Sequence, residues 1–349
     1  MRRRSVLAVL SCLLSALTAA ILAGGRPSAA SAARRPVIGL SLDTLTAERW
    51  QRDRDLFVAR AAELGADVLV QTANSDDARQ IENVQALISR KVDALVIVPH
   101  DGRAMAKGVR LAHEAGIPVI SYDRLITDSD PDLYVSFDNV AVGRAQARFL
   151  LQRAAGRAPL RIVRVNGAKT DHNAFLYRQG QDEALAPALA SGRARIVHDD
   201  WAQDWEPANA KKIVNAALTR LGSGVDAVLA ANDGTAGGAV QALLEDGLAG
   251  KVLVTGQDAE LAACQRIARG TQTMTVYKPL KSLAGRAAEL AVALAKGRPV
   301  AAPRSVFNGK VDVPSVLMDV VVVTRDDLRR TVIKDGYQSE SDVFGASRP

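Results

Sequence analysis

The strongest constraint on the fold is an alternation of short apolar runs with helix-like segments, which begins at Pro36. The runs VIGLSL, ADVLVQT, VDALVIVP and IPVISYD are rich in β-branched residues, and helical spacing of apolar residues fills the stretches between them. A second series begins at LRIVRVNG and continues through ARIVHDDW, VDAVLAAN and KVLVTGQD. Such strands indicate parallel sheets covered on both faces. We therefore predict an α/β fold with two doubly wound parallel-sheet domains.

The N-terminus differs in character from the rest of the chain. Three arginines precede a long apolar run, and small residues follow, with Ala30-Ser31-Ala32 fitting a small-x-small cleavage site. This pattern is typical of an export signal, so we predict that residues 1–32 are removed on export. The alternative is a membrane anchor, because the apolar run is nearly long enough to span a bilayer.

The charge of the chain bears on nucleic-acid binding, and its cysteine content bears on disulfide bonds. Of the net charge of +7, four arginines and no acidic residue lie in residues 1–32, which leaves +3 for the remainder. No basic cluster with interleaved aromatic residues is present, so we expect no nucleic-acid partner. Of the two cysteines, Cys12 lies in residues 1–32, so Cys264 has no disulfide partner once these are removed. We predict that Cys264 is a small core residue on a helix.

Polar residues gather directly after the predicted strands. In open α/β sheets, ligands bind beyond the carboxyl ends of the strands. The residues at these positions include two tryptophans and a mixture of basic, acidic and amide side chains: Asp43, Arg49, Trp50, Asp123, Arg124, Asp171, Asn173, Trp205, Asn232, Gln257, Asp258 and Lys278. This mixture suits a sugar, because indole rings stack on the apolar C–H faces while charged and amide groups bond the hydroxyls.

Each of these residues also has a purely structural interpretation. Trp50 precedes Phe57 by seven residues and so fits the core-facing stripe of a helix. Asp43 fits a helix cap, and Arg124 and Lys278 fit ordinary surface charges. We expect the charges from Arg52 to Asp55 to form a solvated helix face.

Motifs for catalysis or metal binding are missing from the sequence. There is no GxxxxGK[ST] phosphate loop, no GxSxG elbow and no CxxC pair, and the four histidines lack metal-ligand spacing. Asp171 and Asp258 would suit a glycosidase carboxylate pair, but they serve equally well as hydroxyl acceptors. We predict that the chain is not an enzyme and has neither a cofactor nor a metal site.

Several long segments resemble the D-xylose-binding proteins of bacterial ABC sugar importers, within the type I periplasmic binding protein superfamily. The resemblance runs from about Val37 to Glu340 and is carried by DTLTAERWQRDRDLFV, SYDRLITDSD, YVSFDN, ANDGTAGGAVQAL, GQDAELAACQRIARGTQTMTVYKP and TVIKDGYQSES. It implies two lobes joined by three hinge strands, with the sugar held in the cleft between them. The positions that match the family's sugar contacts are Arg49, Trp50, Arg124, Asp171, Asn173, Trp205, Asn232, Asp258 and Lys278.

From this resemblance we expect an N-terminal lobe of residues 36–138 plus 279–312 and a C-terminal lobe of 139–278 plus 313–337. We expect residues 338–349 to form a flexible tail. One departure from the family is His172, which lies between two predicted contacts and brings a titratable group near the site.

The implied function is capture of D-xylose, or a close monosaccharide, outside the cytoplasm by a monomer that delivers it to the permease of an ABC importer. One alternative is a co-receptor for a chemoreceptor or sensor kinase. A second is a sugar-responsive transcription regulator, which would need a DNA-binding helix-turn-helix before the first strand, where this chain has its predicted export signal. A third is a sugar-processing enzyme.

Overall fold

The computed structural model describes residues 34–46, 48–156 and 159–345. The predicted export signal, residues 1–32, lies outside these ranges. Within them, no helix combines the length and the hydropathy needed to cross a membrane.

Strands and helices alternate along the described residues as predicted. The strands are β1 (Val37–Leu42), β2 (Asp67–Thr72), β3 (Ala94–Ile97), β4 (Val119–Tyr122), β5 (Leu133–Phe137), β6 (Leu160–Asn166), β7 (Ala194–Trp201), β8 (Ala227–Ala230), β9 (Leu253–Val254), β10 (Thr275–Tyr277), β11 (Arg304–Phe307), β12 (Asp312–Met318) and β13 (Val321–Val323). The helices are α1 (Glu48–Glu63), α2 (Asp77–Ser89), α3 (Ala106–Glu114), α4 (Asn139–Arg153), α5 (His172–Ala190), α6 (Pro207–Leu221), α7 (Asp233–Glu245), α8 (Leu261–Arg269), α9 (Leu280–Ala295) and α10 (Glu340–Phe344). A 3-10 turn covers Gln203–Trp205, and a π-helical turn covers Arg329–Ile333.

The strands form two large sheets and one small one. The first has seven strands in the order β11-β12-β5-β4-β3-β1-β2, all parallel except for β11, which is antiparallel to β12. The second has the order β7-β6-β8-β9 and is parallel throughout. In each large sheet the direction of strand addition reverses once, between β1 and β3 and between β6 and β8. Such reversals open a crevice at the carboxyl ends of the strands.

Both faces of each large sheet are covered by helices. In β3, Leu95 and Ile97 pack with α2 and α3, whereas Ala94 and Val96 face the opposite side and pack with α1 and α9. The second sheet is covered by α6 and α7 on one face and by α4 and α5 on the other. The prediction of two doubly wound parallel sheets is confirmed by this alternation, since successive strand residues point to opposite faces.

Most of the predicted lobe boundaries stay predictions, but the boundary at residue 313 disagrees with the strand pairing. The sequence assigned 313–337 to the C-terminal lobe, whereas β12 continues to Met318 and pairs with β5 of the first sheet. β12 stays in the first sheet because its side chains Val313 and Val316 are buried. The chain therefore leaves the first sheet after Met318, and β13 then pairs with β10 in the small antiparallel sheet.

The expectation of a flexible tail from residue 338 onward is wrong for the described residues 338–345. Gln338 is buried, and α10 forms a short helix capped by Ser339. Val343 is 3% exposed and packs with Cys264 and Ile267 of α8. The apolar side chains of α10 thus anchor a segment that its polar composition had suggested would fray. Cys264 is buried and free, as predicted.

Candidate functional site

A cavity of about 730 Å³ lies where residues that follow the strands of the first sheet meet residues that follow the strands of the second. All the residues that the sequence analysis predicted as sugar contacts line it: Arg49, Trp50, Arg124, Asp171, Asn173, Trp205, Asn232, Asp258 and Lys278. Asp43, Asp123 and Gln257, which also follow strands, line it with them. The structure therefore brings together every predicted position, although they span much of the chain.

Arg49 is the centre of a buried charge network. It lies in the first turn of α1, where its Nη2 donates to Asp123 at 2.7 Å and to Asp53 at 3.1 Å, while Nη1 donates to Asp258 at 3.1 Å. Since a buried guanidinium needs carboxylate partners, these bonds fix both its charge and its orientation. The contact with Asp258 joins α1 to the loop after β9.

The prediction of a solvated helix face from Arg52 to Asp55 is wrong for Asp53. Its side chain is fully buried, because it lies on the same helical stripe as Trp50 and Phe57. The Tyr122 hydroxyl donates to its second oxygen at 2.5 Å. Burial raises the pKa of Asp53 to about 6, against the lowering effects of Arg49 and Tyr122.

Arg124 makes a second cross-cavity connection. Its Nη1 donates to Asp43 at 2.8 Å and to the Pro99 carbonyl at 3.1 Å, while its Nε lies 2.9 Å from Asp171. Asp171 caps α5 by accepting from the Asn173 amide N–H at 2.9 Å. Burial raises the pKa of Asp171, and the charge of Arg124 offsets this only in part.

Lys278 and Asp123 are the other two buried charged residues of the network around Arg49. Lys278 is 1% exposed, and its Nζ lies 2.8 Å from Asp258. Burial acts to raise the pKa of Asp123, but the charges of Arg49 and Lys278 outweigh it and hold that pKa below its ordinary value. The cavity thus holds cations and carboxylates in close mutual contact, which offsets the cost of burying each charge alone.

Trp50 fulfils both interpretations that its spacing allowed. It is 5% exposed and packs in the core on the first sheet, yet it also lines the cavity. The guanidinium carbon of Arg49 lies 4.2 Å from its ring centroid, and that of Arg124 lies 5.4 Å away. These cations hold the indole in place through cation–π attraction.

Trp205 is held differently, in the 3-10 turn after β7. Its φ is +60°, and its ring packs on Tyr177 in a T-shaped arrangement with 6.3 Å between centroids. Gly167 leaves room for the indole, since a Cβ at this position would lie 2.0 Å from the Trp205 ring. Sequence reasoning missed both Gly167 and Tyr177, because their role depends on contacts between distant elements.

Asn173 lines the cavity, but its amide is already bonded within the protein. Its Nδ2 donates to the Asp123 carbonyl at 3.0 Å, and its Oδ1 accepts from Tyr134 at 3.2 Å and from Asn139 at 2.9 Å. Asn232 caps α7 through its Oδ1, which accepts from the Thr235 N–H at 2.8 Å. Both amides therefore position the walls of the cavity.

Several buried polar atoms of the cavity lining have no hydrogen-bond partner among the described residues. Among the buried side-chain atoms of the described residues that lack a hydrogen-bond partner, four belong to residues that line it: Asp43 Oδ1, Arg49 Nε, Trp205 Nε1 and Gln257 Oε1. Two of these atoms donate and two accept. Since buried polar groups are normally paired, this set indicates a ligand that both donates and accepts hydrogen bonds.

His172 does not reach the cavity lining, although its neighbours Asp171 and Asn173 do. It lies beside Phe175 with 6.2 Å between ring centroids. Burial lowers the pKa of His172, and Asp171 offsets this only in part. Burial therefore favours the neutral form of this imidazole.

The described residues contain no group of three or more His, Cys, Asp and Glu side chains arranged to hold a metal ion. Asp171 and Asp258, the pair that would suit a glycosidase, are each bonded to cations. In this arrangement both serve as hydrogen-bond acceptors.

Comparison with known proteins identifies the family. A sequence model described as a periplasmic binding protein domain matches residues 38–299. D-xylose-binding periplasmic proteins of Haemophilus influenzae and Escherichia coli are each 46% identical to this chain, over 88% and 90% of its length and 92% and 94% of theirs. A carbohydrate transporter solute binding protein from Chloroflexus aurantiacus, solved in complex with D-glucose, superposes with a TM-score of 0.84 at 35% identity and covers 88% of this chain and 98% of that one. The type I periplasmic binding protein fold is thereby confirmed, and the chain belongs to the periplasmic binding protein family.

Proposed function

We propose that the protein captures D-xylose, or a close monosaccharide, in the cavity between the two sheets. The observation that carries this proposal is a cavity lined by two tryptophans and by buried charged groups of both signs, with unpaired donors and acceptors among them. A pyranose ring presents apolar faces for the indoles and hydroxyls that both donate and accept. The similarity to D-xylose-binding proteins supports the choice of sugar.

In this proposal the ring lies between Trp50 and Trp205. Arg49, Arg124 and Lys278 donate to its hydroxyls, and Asp171 and Asp258 accept from them. Asn173 and Asn232 contact the sugar from the helix ends that they also hold. No bond is made or broken, and neither a cofactor nor a metal takes part.

Closure of the two lobes is the proposed response to the ligand. Contacts such as Arg124 with Asp171 connect the two sides of the cavity, so a sugar that touches both sides favours the closed arrangement by its differential affinity. The closed protein, acting as an exported monomer, would then present its surface to the permease of an ABC importer. Closure by rotation about a hinge is a common ligand response.

Calorimetric titration of residues 33–349 tests the proposal. We expect one-to-one binding of D-xylose and weaker binding of ribose, arabinose, galactose and glucose. Glucose is an informative competitor because the structural relative from Chloroflexus holds it. Tight binding of another sugar with no xylose binding would refute the specificity, and binding of none would refute the function. Incubation with xylose should yield no product.

Co-purification with the permease tests the partner. The permease components of an ABC importer for xylose should be retained by the protein more strongly in the presence of xylose than in its absence. Retention independent of xylose would contradict delivery by the closed form. Light scattering of the purified protein should give the mass of a monomer.

A further inference from the structure

The C-terminal segment Tyr337–Phe344 contacts elements from both sides of the cavity. Tyr337 packs on the core of the first sheet and also on the cluster around α8. Its ring lies 5.2 Å from Tyr277 of β10 and 4.7 Å from the guanidinium carbon of Arg52 on α1. The segment therefore joins the helix that carries Arg49 and Trp50 to the region that carries Asp258.

Gln338 makes the connection through both ends of its amide. Its Oε1 accepts from Arg52 Nη2 at 3.3 Å, and its Nε2 donates to the Ala259 carbonyl at 3.2 Å. A further Arg52 nitrogen donates to the Tyr337 carbonyl. Gln338 is only 4% exposed, so its amide has little access to water as an alternative partner, and both bonds are favoured over solvent.

The backbone that Gln338 holds is strained. Asp258 has a φ of +97° and Ala259 a φ of +53°. Residues other than glycine adopt such conformations only where the surrounding structure enforces them. The bonds to this loop include the Asp258 N–H to the Val276 carbonyl at 2.8 Å, the Ala259 N–H to Thr275 Oγ1 at 3.2 Å, and the Gln338 amide to the Ala259 carbonyl. Cys264 Sγ also donates to that carbonyl at 3.4 Å, and Lys278 Nζ lies 2.8 Å from the Asp258 carboxylate.

We infer that Gln338 is a positioning residue for sugar binding, which acts by fixing Asp258 relative to Arg49. This inference rests on the proposed function. Gln338 does not line the cavity, but it bonds the residue after Asp258 and, through Arg52, the helix that carries Arg49. The distance it sets is that between Arg49 Nη1 and Asp258 Oδ1, which are 3.1 Å apart. Misplacement of either group weakens the hydrogen bonds to a sugar hydroxyl that contacts both, since such bonds lose strength steeply with geometry.

The test replaces the amide while keeping its volume. Gln338→Met should lower the affinity for D-xylose about tenfold, which corresponds to the loss of one or two buried hydrogen bonds. The matched control is Gln265→Met, because Gln265 Nε2 joins α8 to the C-terminal segment, at 2.8 Å from the Asp342 carbonyl, through a bond that involves neither Asp258 nor Ala259. The control should bind xylose as the wild type does. Equal affinity of Gln338→Met and the wild type would overturn the inference.

A double-mutant cycle separates positioning from a general loss of stability. If Gln338 acts through Asp258, then Gln338→Met in an Asp258→Asn background should weaken binding far less than it does alone. An undiminished tenfold loss in that background would refute the assigned route. Gln338→Glu gives an independent measurement, since it keeps the acceptor for Arg52 but cannot donate to the Ala259 carbonyl. It should also bind xylose more weakly, and wild-type affinity would contradict the inference.

Failure of the inference and failure of the proposed function give different results. If the wild type binds none of the sugars, the proposed function fails. If the wild type binds xylose and the Gln338 variants bind it equally well, only the inference about Gln338 fails.

Discussion

Trp50 and Trp205 line the same cavity but are held in different ways. Trp50 lies in the first turn of α1, is nearly fully buried, and rests against the guanidinium groups of Arg49 and Arg124. Trp205 lies in a short turn with positive φ, is half-buried, and packs on Tyr177 and Gly167. Its indole N–H has no hydrogen-bond partner among the described residues.

The difference is that Trp50 is a buried member of the core on the first sheet, whereas Trp205 is half-buried and packs against the margin of the cluster around Tyr177. The charges behind Trp50 are shared between the site and the core, because Arg49 bonds Asp53 and Asp123 within the protein as well as facing the cavity. Around Trp205 the support comes from shape, through the absence of a side chain at Gly167. Substitutions on the two walls should therefore separate stability from affinity.

The largest expected change in stability comes from replacing Arg49, whose guanidinium lies against the Trp50 ring. Arg49→Met leaves Asp53, Asp123 and Asp258 buried without this partner. The free energy of unfolding should fall by about 4–5 kcal/mol, since an unpaired buried charge is costly, and xylose binding should be lost. Denaturant titration measures the change.

The control for this change is Arg54→Met on the same helix. Arg54 pairs with the exposed Asp55, and its loss should cost less than about 1 kcal/mol. Equal losses for the two variants would contradict the central place of Arg49.

Trp50→Ala should destabilise the protein and weaken binding together. The unfolding free energy should fall by roughly 3–4 kcal/mol, as for other large core residues. Trp201→Ala is the control, because Trp201 is half-buried and does not line the cavity. It should leave xylose affinity unchanged. Wild-type stability of Trp50→Ala would show that this tryptophan is not part of the core.

Asp53→Asn should alter how stability depends on pH. Folding raises the pKa of this carboxyl from its ordinary 3.8 to about 6, so the folded state binds the proton more tightly than the unfolded state. Its contribution to stability is therefore fully present below pH 3.8 and is lost as the pH rises to about 6. The loss amounts to roughly 2–3 kcal/mol.

The measurement compares the free energy of unfolding of Asp53→Asn and the wild type across this range. The variant lacks the ionisable group, so its stability relative to the wild type should rise with pH. Asp55→Asn, on the exposed side of the same helix, should show no such trend. A constant difference between Asp53→Asn and the wild type would be evidence against an ionising Asp53.

The smallest effect on stability is expected for Trp205→Ala. The unfolding free energy should change by about 1 kcal/mol or less, while xylose affinity falls by roughly 1–3 kcal/mol, by analogy with aromatic stacking on nucleobases. Calorimetry and denaturant titration on one preparation give both numbers. Equal losses of stability for the two tryptophans would remove the distinction between the walls.

The sequence predicts the fold and the membership of the site more fully than its internal contacts. Strand ends in parallel sheets meet at one edge. The side chains directly after the strands, such as Arg124, Asp171 and Asp258, are therefore expected together without knowledge of any distance. Helical spacing likewise places Trp50 toward the core. These inferences need only the period of the element and the direction of its strands.

The features that the sequence did not predict depend on contacts between distant elements. Asp53 was assigned to a solvated face because it is charged, and its burial depends on Tyr122, which belongs to another strand. The position of the Trp205 ring depends on Gly167 and on a positive φ, and the neighbouring sequence predicts neither. The buried position of Gln338 arises likewise from its bonds to Arg52 and Ala259.

Sugar binding between the two tryptophans is tested most directly by a crystal structure of the protein grown with D-xylose. We expect one pyranose ring in the cavity, with Trp50 and Trp205 on its two faces and hydroxyls within hydrogen-bond distance of Arg49, Arg124 and Asp258. A sugar bound elsewhere, or one that touches neither tryptophan, would contradict it.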